Sequence, residues 1–215
     1  MEKKYYSIEI EIDRKIMGDC YPQIELIEPV HIADSLTPWN FPKINTPFEI
    51  TLHKNSKLTD VLNNLQVNSS GFMISKKLKN ILDSFTLMNH KYYPVRIKGI
   101  NESYYWLHLC DMQLTYNLDY SNTIFFQTKY NSIQNEIKLS SFNEYVLLKN
   151  ELGTSFGVKL IETTLSNDFL KGLDLFRFIP FTGSEIFISE ELKTALEENQ
   201  IVGFNFQRAE KIKNL

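Results

Sequence analysis

Gly153-Thr154-Ser155-Phe156-Gly157 fits G-x-S-x-G, the sharp strand-to-helix turn on which serine hydrolases expose a nucleophilic hydroxyl, with an acid and then a histidine supplied later in the chain. All four histidines, His31, His53, His90 and His108, precede Ser155, and Val158-Lys159-Leu160-Ile161 after the motif is a short β-branched run, not the opening of a long helix. Triads are defined by geometry, so His108 beside Ser155 is the arrangement that a different chain order would allow. The expectation is a loop or hairpin turn at Ser155, with an unrecognised hydrolase as an alternative. Asp119-Tyr120-Ser121 sets an acid near a serine, but both residue types flank strands as ordinary turn formers. Cys20 and Cys110 have no C-x-x-C partner or histidine spacing and read as buried reduced thiols. H-E-x-x-H, P-loop and G-x-G-x-x-G motifs are also missing. No catalytic residue, cofactor or metal is therefore expected, and a reading as an enzyme has little to stand on.

Of the 215 residues, 43% are apolar, 15 are Phe and 11 are Tyr, whereas Gly and Pro number only 8 and 7, a composition that builds a core and excludes a disordered linker. The net charge of −3, from 26 acidic and 23 basic residues, supplies no field for wrapping nucleic acid, so such a role needs a local patch. Residues 76–98 hold one: Lys76, Lys77, Lys79, Lys91, Arg96 and Lys98 interleave with Tyr92 and Tyr93, as a stacking-plus-phosphate surface requires. A nucleic-acid-binding module is thus the other alternative, set against a plain solvated helix face. No apolar h-region follows Met1-Glu2-Lys3-Lys4, and no run approaches the ~18 apolar residues that span a bilayer, so the expected location is cytoplasmic, with no membrane contact.

The elements that would position these residues are mostly strands. Tyr6–Ile12 alternates apolar and polar residues at period two, and further strand patterns lie at Phe48–Leu52, Tyr92–Lys98, Tyr104–Leu109, Thr123–Thr128, Ile133–Leu139, Tyr145–Leu148, Gly157–Ile161 and Leu175–Ile179. Between Pro29 and Pro47 the segment with Pro38, Trp39, Phe41 and Pro42 is too proline-rich for a helix or a central strand and reads as a long aromatic loop. Leu58, Val61, Leu62 and Leu65 make a helical stripe over Leu58–Leu65, and Asn68-Ser69-Ser70-Gly71 is a turn cluster. Strands do not alternate regularly with long helices, so the fold class is α+β with a mostly antiparallel sheet and a few short helices.

Phe72-Met73-Ile74-Ser75-Lys76-Lys77-Leu78-Lys79-Asn80-Ile81-Leu82 and Ile186-Phe187-Ile188-Ser189-Glu190-Glu191-Leu192-Lys193-Thr194-Ala195-Leu196 share one pattern: strand, serine, helix. Ser75 and Ser189 fit helix N-caps, Leu78, Ile81 and Leu82 correspond to Leu192, Ala195 and Leu196, and an extended segment follows each helix. Two strand-serine-helix-strand units are expected, at about residues 72–97 and 186–206. These motifs, with Tyr92-Tyr93-Pro94-Val95, Leu118-Asp119-Tyr120-Ser121, Leu175-Phe176-Arg177-Phe178 and Gly203-Phe204-Asn205-Phe206, resemble the eleventh catalogued family of immunity proteins of bacterial polymorphic-toxin systems, over about residues 60–207. The reading is then of one α+β domain over residues 1–215, with 1–66 a more variable N-terminal part and 67–215 the family-like region.

The resemblance implies a protein that binds a cognate toxin domain and neutralises it by occluding its active site. If so, the helix after Ser189 is the expected contact: with Leu192, Ala195 and Leu196 turned inward, a rotation of 100° per residue turns Glu190, Glu197 and Glu198 outward as an acidic face. Such a face would complement the basic cleft of a toxin that attacks nucleic acid. Trp39 and Phe41 in the proline-rich loop are the second candidate contact.

Overall fold

Both serine-capped units are present, and they hold each other. In the computed structural model, which describes residues 3–19, 22–28, 36–63, 71–111, 113–130, 132–165, 172–181 and 185–214, the chain runs β1 (Tyr5–Ile10), α1 (Arg14–Met17), β2 (Ile24–Glu28), β3 (Phe48–Leu52), β4 (Val61–Leu62), β5 (Gly71–Ser75), α2 (Lys76–Leu82), β6 (His90–Ile97) and β7 (Tyr104–Leu109). It continues through α3 (Gln113–Tyr116), a short 3₁₀ turn (Tyr120–Asn122), β8 (Ile124–Lys129), β9 (Ser132–Ile137), α4 (Phe142–Leu152), β10 (Phe156–Leu165), β11 (Leu175–Phe176), β12 (Ile186–Ser189), α5 (Glu190–Glu198), β13 (Phe204–Arg208) and β14 (Ile212–Asn214). Cys20, His31, the Asn68-Ser69-Ser70 turn and the end of the stripe at Leu65 lie outside the described residues.

The strands form three sheets, ordered β11-β12-β1-β13, β14-β10-β8-β9 and β2-β3-β6-β7-β5-β4. Among the described residues only the strand pairs β10 with β14 and β3 with β6 run parallel, so the fold is α+β and mainly antiparallel. The apolar run Phe72-Met73-Ile74 of β5 is explained by burial on both faces. Phe72 and Ile74 join a core cluster that takes residues from all three sheets, including Ile8, Leu107, Phe125, Leu160 and Ile188. Met73 turns to a second cluster with Ile24, Phe48, Ile50, Tyr93 and Trp106, under the strands of the N-terminal third. At the start of β5 the backbone passes so close to β7 that a Cβ on Gly71 would lie 1.8 Å from the Leu107 carbonyl oxygen.

The repeat extends beyond its sequence trace. The hydroxyl of Ser75 accepts from Leu78 N–H and that of Ser189 from Leu192 N–H, both at 3.1 Å, as N-caps do. Each serine also donates to an aspartate 15 residues earlier, Ser75 to Asp60 Oδ1 at 2.6 Å and Ser189 to Asp174 Oδ1 at 2.8 Å. The second oxygen of each aspartate grips the other unit: Asp60 Oδ2 accepts from Val202 N–H (3.1 Å) after α5, and Asp174 Oδ2 from Thr86 N–H (2.9 Å) after α2. Tyr104 of β7 pairs with Ser75 as Tyr5 of β1 pairs with Ser189, so β4-β5-α2-β6-β7 corresponds to β11-β12-α5-β13-β1. The second unit is thus completed by the first strand of the chain. Side chains follow the same correspondence: Lys79 lies over the rings of Tyr92 (4.6 Å) and Tyr105 (5.8 Å), and Lys193 over Tyr6 (5.1 Å) and Phe206 (5.6 Å).

Two expected elements are corrected. Val61-Leu62, read within a helix, is β4, because Val61 pairs with Ile74 and Leu62 with Met73 and the adjacent Asp60 is committed to the cross-lock. Tyr145–Leu148, read as a strand, lies inside α4. The sequence carries the reason in Ser141-Phe142-Asn143-Glu144: Ser141 Oγ accepts from Glu144 N–H at 3.3 Å, and Glu144 Oε2 reaches back to the N–H of Ser140 at 2.6 Å. The helix start fixes Tyr145–Leu148 against its β-like composition.

Candidate partner-binding surface

The G-x-S-x-G serine is a turn residue. Ser155 stands between α4 and β10, a helix-to-strand connection that reverses the order an elbow needs, and its carbonyl accepts from Tyr130 N–H at 3.1 Å. His108 is fully buried in β7, its Nε2 is 3.0 Å from the Asn40 carbonyl oxygen, and the ring of Phe41 lies edge-on at 5.7 Å. A carbonyl only accepts, so Nε2 carries the proton, and burial pushes the imidazole below its ordinary pKa against the opposing backbone bonds of Asn40 and Thr37. His108 thus serves the loop. Asp119 caps the 3₁₀ turn by accepting from Asn122 N–H, and Ser121 donates to its Oδ1 at 2.7 Å, so this pair is a turn as well. Cys110 is buried, which raises its thiol pKa.

The basic segment 76–98 does not make one stacking platform. Tyr93 is 2% exposed and donates its hydroxyl to the Pro42 carbonyl, whereas Tyr92, on the opposite face of β6, packs under Lys79. Lys79 is paired with Asp83 at 2.5 Å and Arg96 with Glu49 at 3.1 Å. Tyr92 and Tyr93 are thus parted by the pleat, each beneath a lysine of its own, Lys79 and Lys91, so the two rings do not form one stacking platform.

The three glutamates of α5 lie as the helical rotation places them, in different states. Glu190 Oε1 accepts from Tyr6 (3.3 Å) and Lys4 (3.5 Å) and ties the helix start to β1. Glu197 pairs with Lys193 at 2.6 Å, and Glu198 is exposed with no ion pair among the described residues. Lys77 of the neighbouring α2 reaches the Gln200 carbonyl beside them at 3.4 Å, so the helix pair presents mixed charge. In the proline-rich loop, Trp39 is 52% exposed while its neighbours are fixed: Leu36 is buried, Asn40 and Phe41 meet His108, and Pro42 accepts from Tyr93. Phe41 is half-buried and acts as a support for the loop. The feature sequence reasoning missed is Val146-Leu147, which stands on the outer face of α4 instead of inside a strand.

Among the described residues no group of three or more His, Cys, Asp or Glu is placed to hold a metal ion, and no helix is long and apolar enough to cross a membrane. A family model described as Immunity protein family (Imm11) matches residues 4–211. That span takes in β1 and the strands of the N-terminal third, beyond the segment of residues 60–207 that carried the resemblance. No curated protein matches the chain.

Proposed function

Because the chain belongs to the Imm11 immunity protein family, we propose that it binds a cognate bacterial toxin domain in the cytoplasm of the producing or a sister cell and neutralises it by blocking access to its active site. The observation that carries this reading is the family match over residues 4–211, nearly the whole chain. The surface is of the kind such a role needs, with exposed aromatic and apolar anchors on an ordered scaffold and polar side chains around them. Trp39 is one such anchor: a large ring held out on a loop that Leu36, Asn40 and Pro42 pin to the sheet loses little freedom on binding. Glu197 and Glu198 are candidate rim contacts that would speed encounter with a basic toxin.

The test uses the toxin domain encoded by the adjacent reading frame. Expression of that domain alone should arrest growth, co-expression with this chain should restore it, and the purified pair should elute as one complex with toxin activity lost at equimolar ratio. Trp39→Ala should raise the ratio needed. Continued arrest in the presence of soluble, folded chain would refute neutralisation.

A further inference from the structure

The loop that carries Trp39 is tied to the sheet by few polar contacts, and one of them responds to a proton. Residues 36–44 lie against the face of the six-stranded sheet that holds Tyr93 and Trp106, with Leu36 and Ile44 packed into that cluster and the Phe41 ring edge-on to His108 at 5.7 Å. Among the described residues two hydrogen bonds join this loop to the sheet. In both, a side chain of the sheet donates to a loop carbonyl: Tyr93 Oη to Pro42 at 2.9 Å and His108 Nε2 to Asn40 at 3.0 Å. Trp39, 52% exposed, directly precedes Asn40, so the His108 bond fixes the backbone beside it.

Acid treats the two donors differently. The Tyr93 hydroxyl, its pKa raised by burial, stays neutral and keeps donating. A second proton on His108 must go to Nδ1, which is buried and has no hydrogen-bond partner. The surroundings do not welcome the charge. Across from His108 on β6, and on the same face, stands Lys91, its ammonium 5.1 Å from the centre of the Tyr93 ring. The residue opposite on β5 is Gly71, which has no side chain to offer. Along β7, burial keeps the Cys110 thiol neutral, and the Asp111 carboxylate after it is committed to the N–H groups of Asn89 and Gln113. The charged residue of the loop itself is another cation, Lys43. The carbonyls of Asn40 and Thr37 favour a charged ring, but burial outweighs them. The docked loop therefore requires a neutral His108, whereas a ring freed into water takes up its proton near the ordinary ~6.5.

We propose that His108 is an acid-sensitive latch on the Trp39 loop: neutral, with its proton on Nε2, it clamps the Asn40 carbonyl, and protonation at Nδ1 releases residues 36–44 while the sheet stays folded. Each pH unit below ~6.5 shifts the docked-to-released ratio up to about tenfold toward release, until the docked ring itself protonates. The latch belongs to the chain itself, with or without a toxin bound; where Trp39 anchors a toxin, acid removes that anchor. NMR of the full chain, followed from about pH 7.5 to about pH 4.5, tests it through the histidine rings, the two Trp indoles and the loop amides. At the upper end the His108 ring should carry a proton on Nε2 alone. On acidification the Trp39 indole and the amides of residues 36–44 should shift with one midpoint below ~6.5, shared with the His108 ring, while Trp106, two residues away in β7, keeps its signal. His108→Gln retains a side-chain donor for Asn40 and does not titrate in this range, so its loop signals should stay in place. Loop signals that never move, that move as far in His108→Gln as in wild type, or that move together with Trp106 each overturn the latch. So does a His108 ring that titrates apart from the loop, a comparison made in wild type alone and therefore independent of how the variant folds.

Discussion

The duplicated units and the segment from Tyr116 to Leu152 solve the same problem, a short helix against a sheet, in opposite ways. In the units, α5 buries Leu192 and Leu196 and turns Glu, Lys and Thr outward; across both units the only large hydrophobic side chain that is exposed among the described residues is Val202. Their polar groups are spent inward, with Asp60 and Asp174 each accepting from the cap serine of one helix and holding the turn after the other. The Tyr116–Leu152 segment carries seven such side chains among the described residues, three of them, Val146, Leu147 and Leu152, on α4. Internal satisfaction marks a scaffold, and apolar surface kept in water marks a place where something else supplies the missing contacts.

The comparison breaks first if the two units are not energetically alike. Leu78 and Leu192 are both 0% exposed and occupy equivalent positions, so truncation of either to Ala should cost about 2–5 kcal/mol, read as a fall in denaturant midpoint. Leu147→Ala, on the exposed side of α4, should stay within about 0.5 kcal/mol of wild type. A nearly neutral result at Leu78 or Leu192, or a large one at Leu147, would contradict the division into scaffold and contact surface.

The pairing of those leucines was legible because a serine cap followed by apolar residues at helical spacing survives in both copies. The aspartates that lock the units were not, since an Asp 15 residues before a cap has no local meaning until the sheets bring it there. Nor was the role of β1: Tyr5-Tyr6 and Tyr104-Tyr105 are similar in sequence, but the first pair is at the start of the chain, and a repeat sought in chain order misses it. The α4 face was lost for another reason. Tyr-Val-Leu-Leu has strand composition, and only the Ser141–Glu144 cap, a motif four residues wide, argues for a helix.

The cross-lock itself is sharpened by pH. Burial alone would raise the Asp174 carboxyl, but hydrogen bonds from Lys3, Thr86 N–H and Ser189, with the Lys3 charge, outweigh it and hold the group below the usual carboxylate range. A carboxyl depressed on folding stabilises the protein above its unfolded pKa of ~3.9, and that contribution is lost as pH falls through the lower folded value. Wild type should therefore lose stability on acidification, and Asp174→Asn should be less stable at neutral pH by about 1.5–3 kcal/mol and show a shallower acid dependence. Equal acid dependence in the two proteins would detach Asp174 from the lock.

Charge reversal on α5 tests the scaffold side from its surface. Lysines at Glu197 and Glu198 remove one i,i+4 pair with Lys193 and leave the buried stripe untouched, so the melting temperature should hardly move. Any effect on the toxin should appear as a several-fold change in association rate at low salt that vanishes at high salt, because exposed charges beyond a Debye length are screened. A drop in affinity that survives high salt would make α5 part of the buried contact and erase the contrast with α4.

The smallest effect belongs to the residue with the most suggestive motif. Ser155 lies just past the C-terminal end of α4, the helix with exposed leucines, so Ser155→Ala separates chemistry from surface contact. A nucleophile needs a base within hydrogen-bond reach; the Ser155 cleft is lined by Thr128, Tyr130, Lys149 and the turn itself, and Lys149 is engaged by two carbonyls. Removing one half-buried hydroxyl from a turn whose backbone makes the hydrogen bond to Tyr130 leaves that bond in place. Toxin affinity and stability should both match wild type, and a fluorophosphonate probe should leave the folded protein unlabelled. Stoichiometric labelling that disappears in Ser155→Ala would put a nucleophile beside α4, and the exposed leucines would then read as the wall of a substrate site.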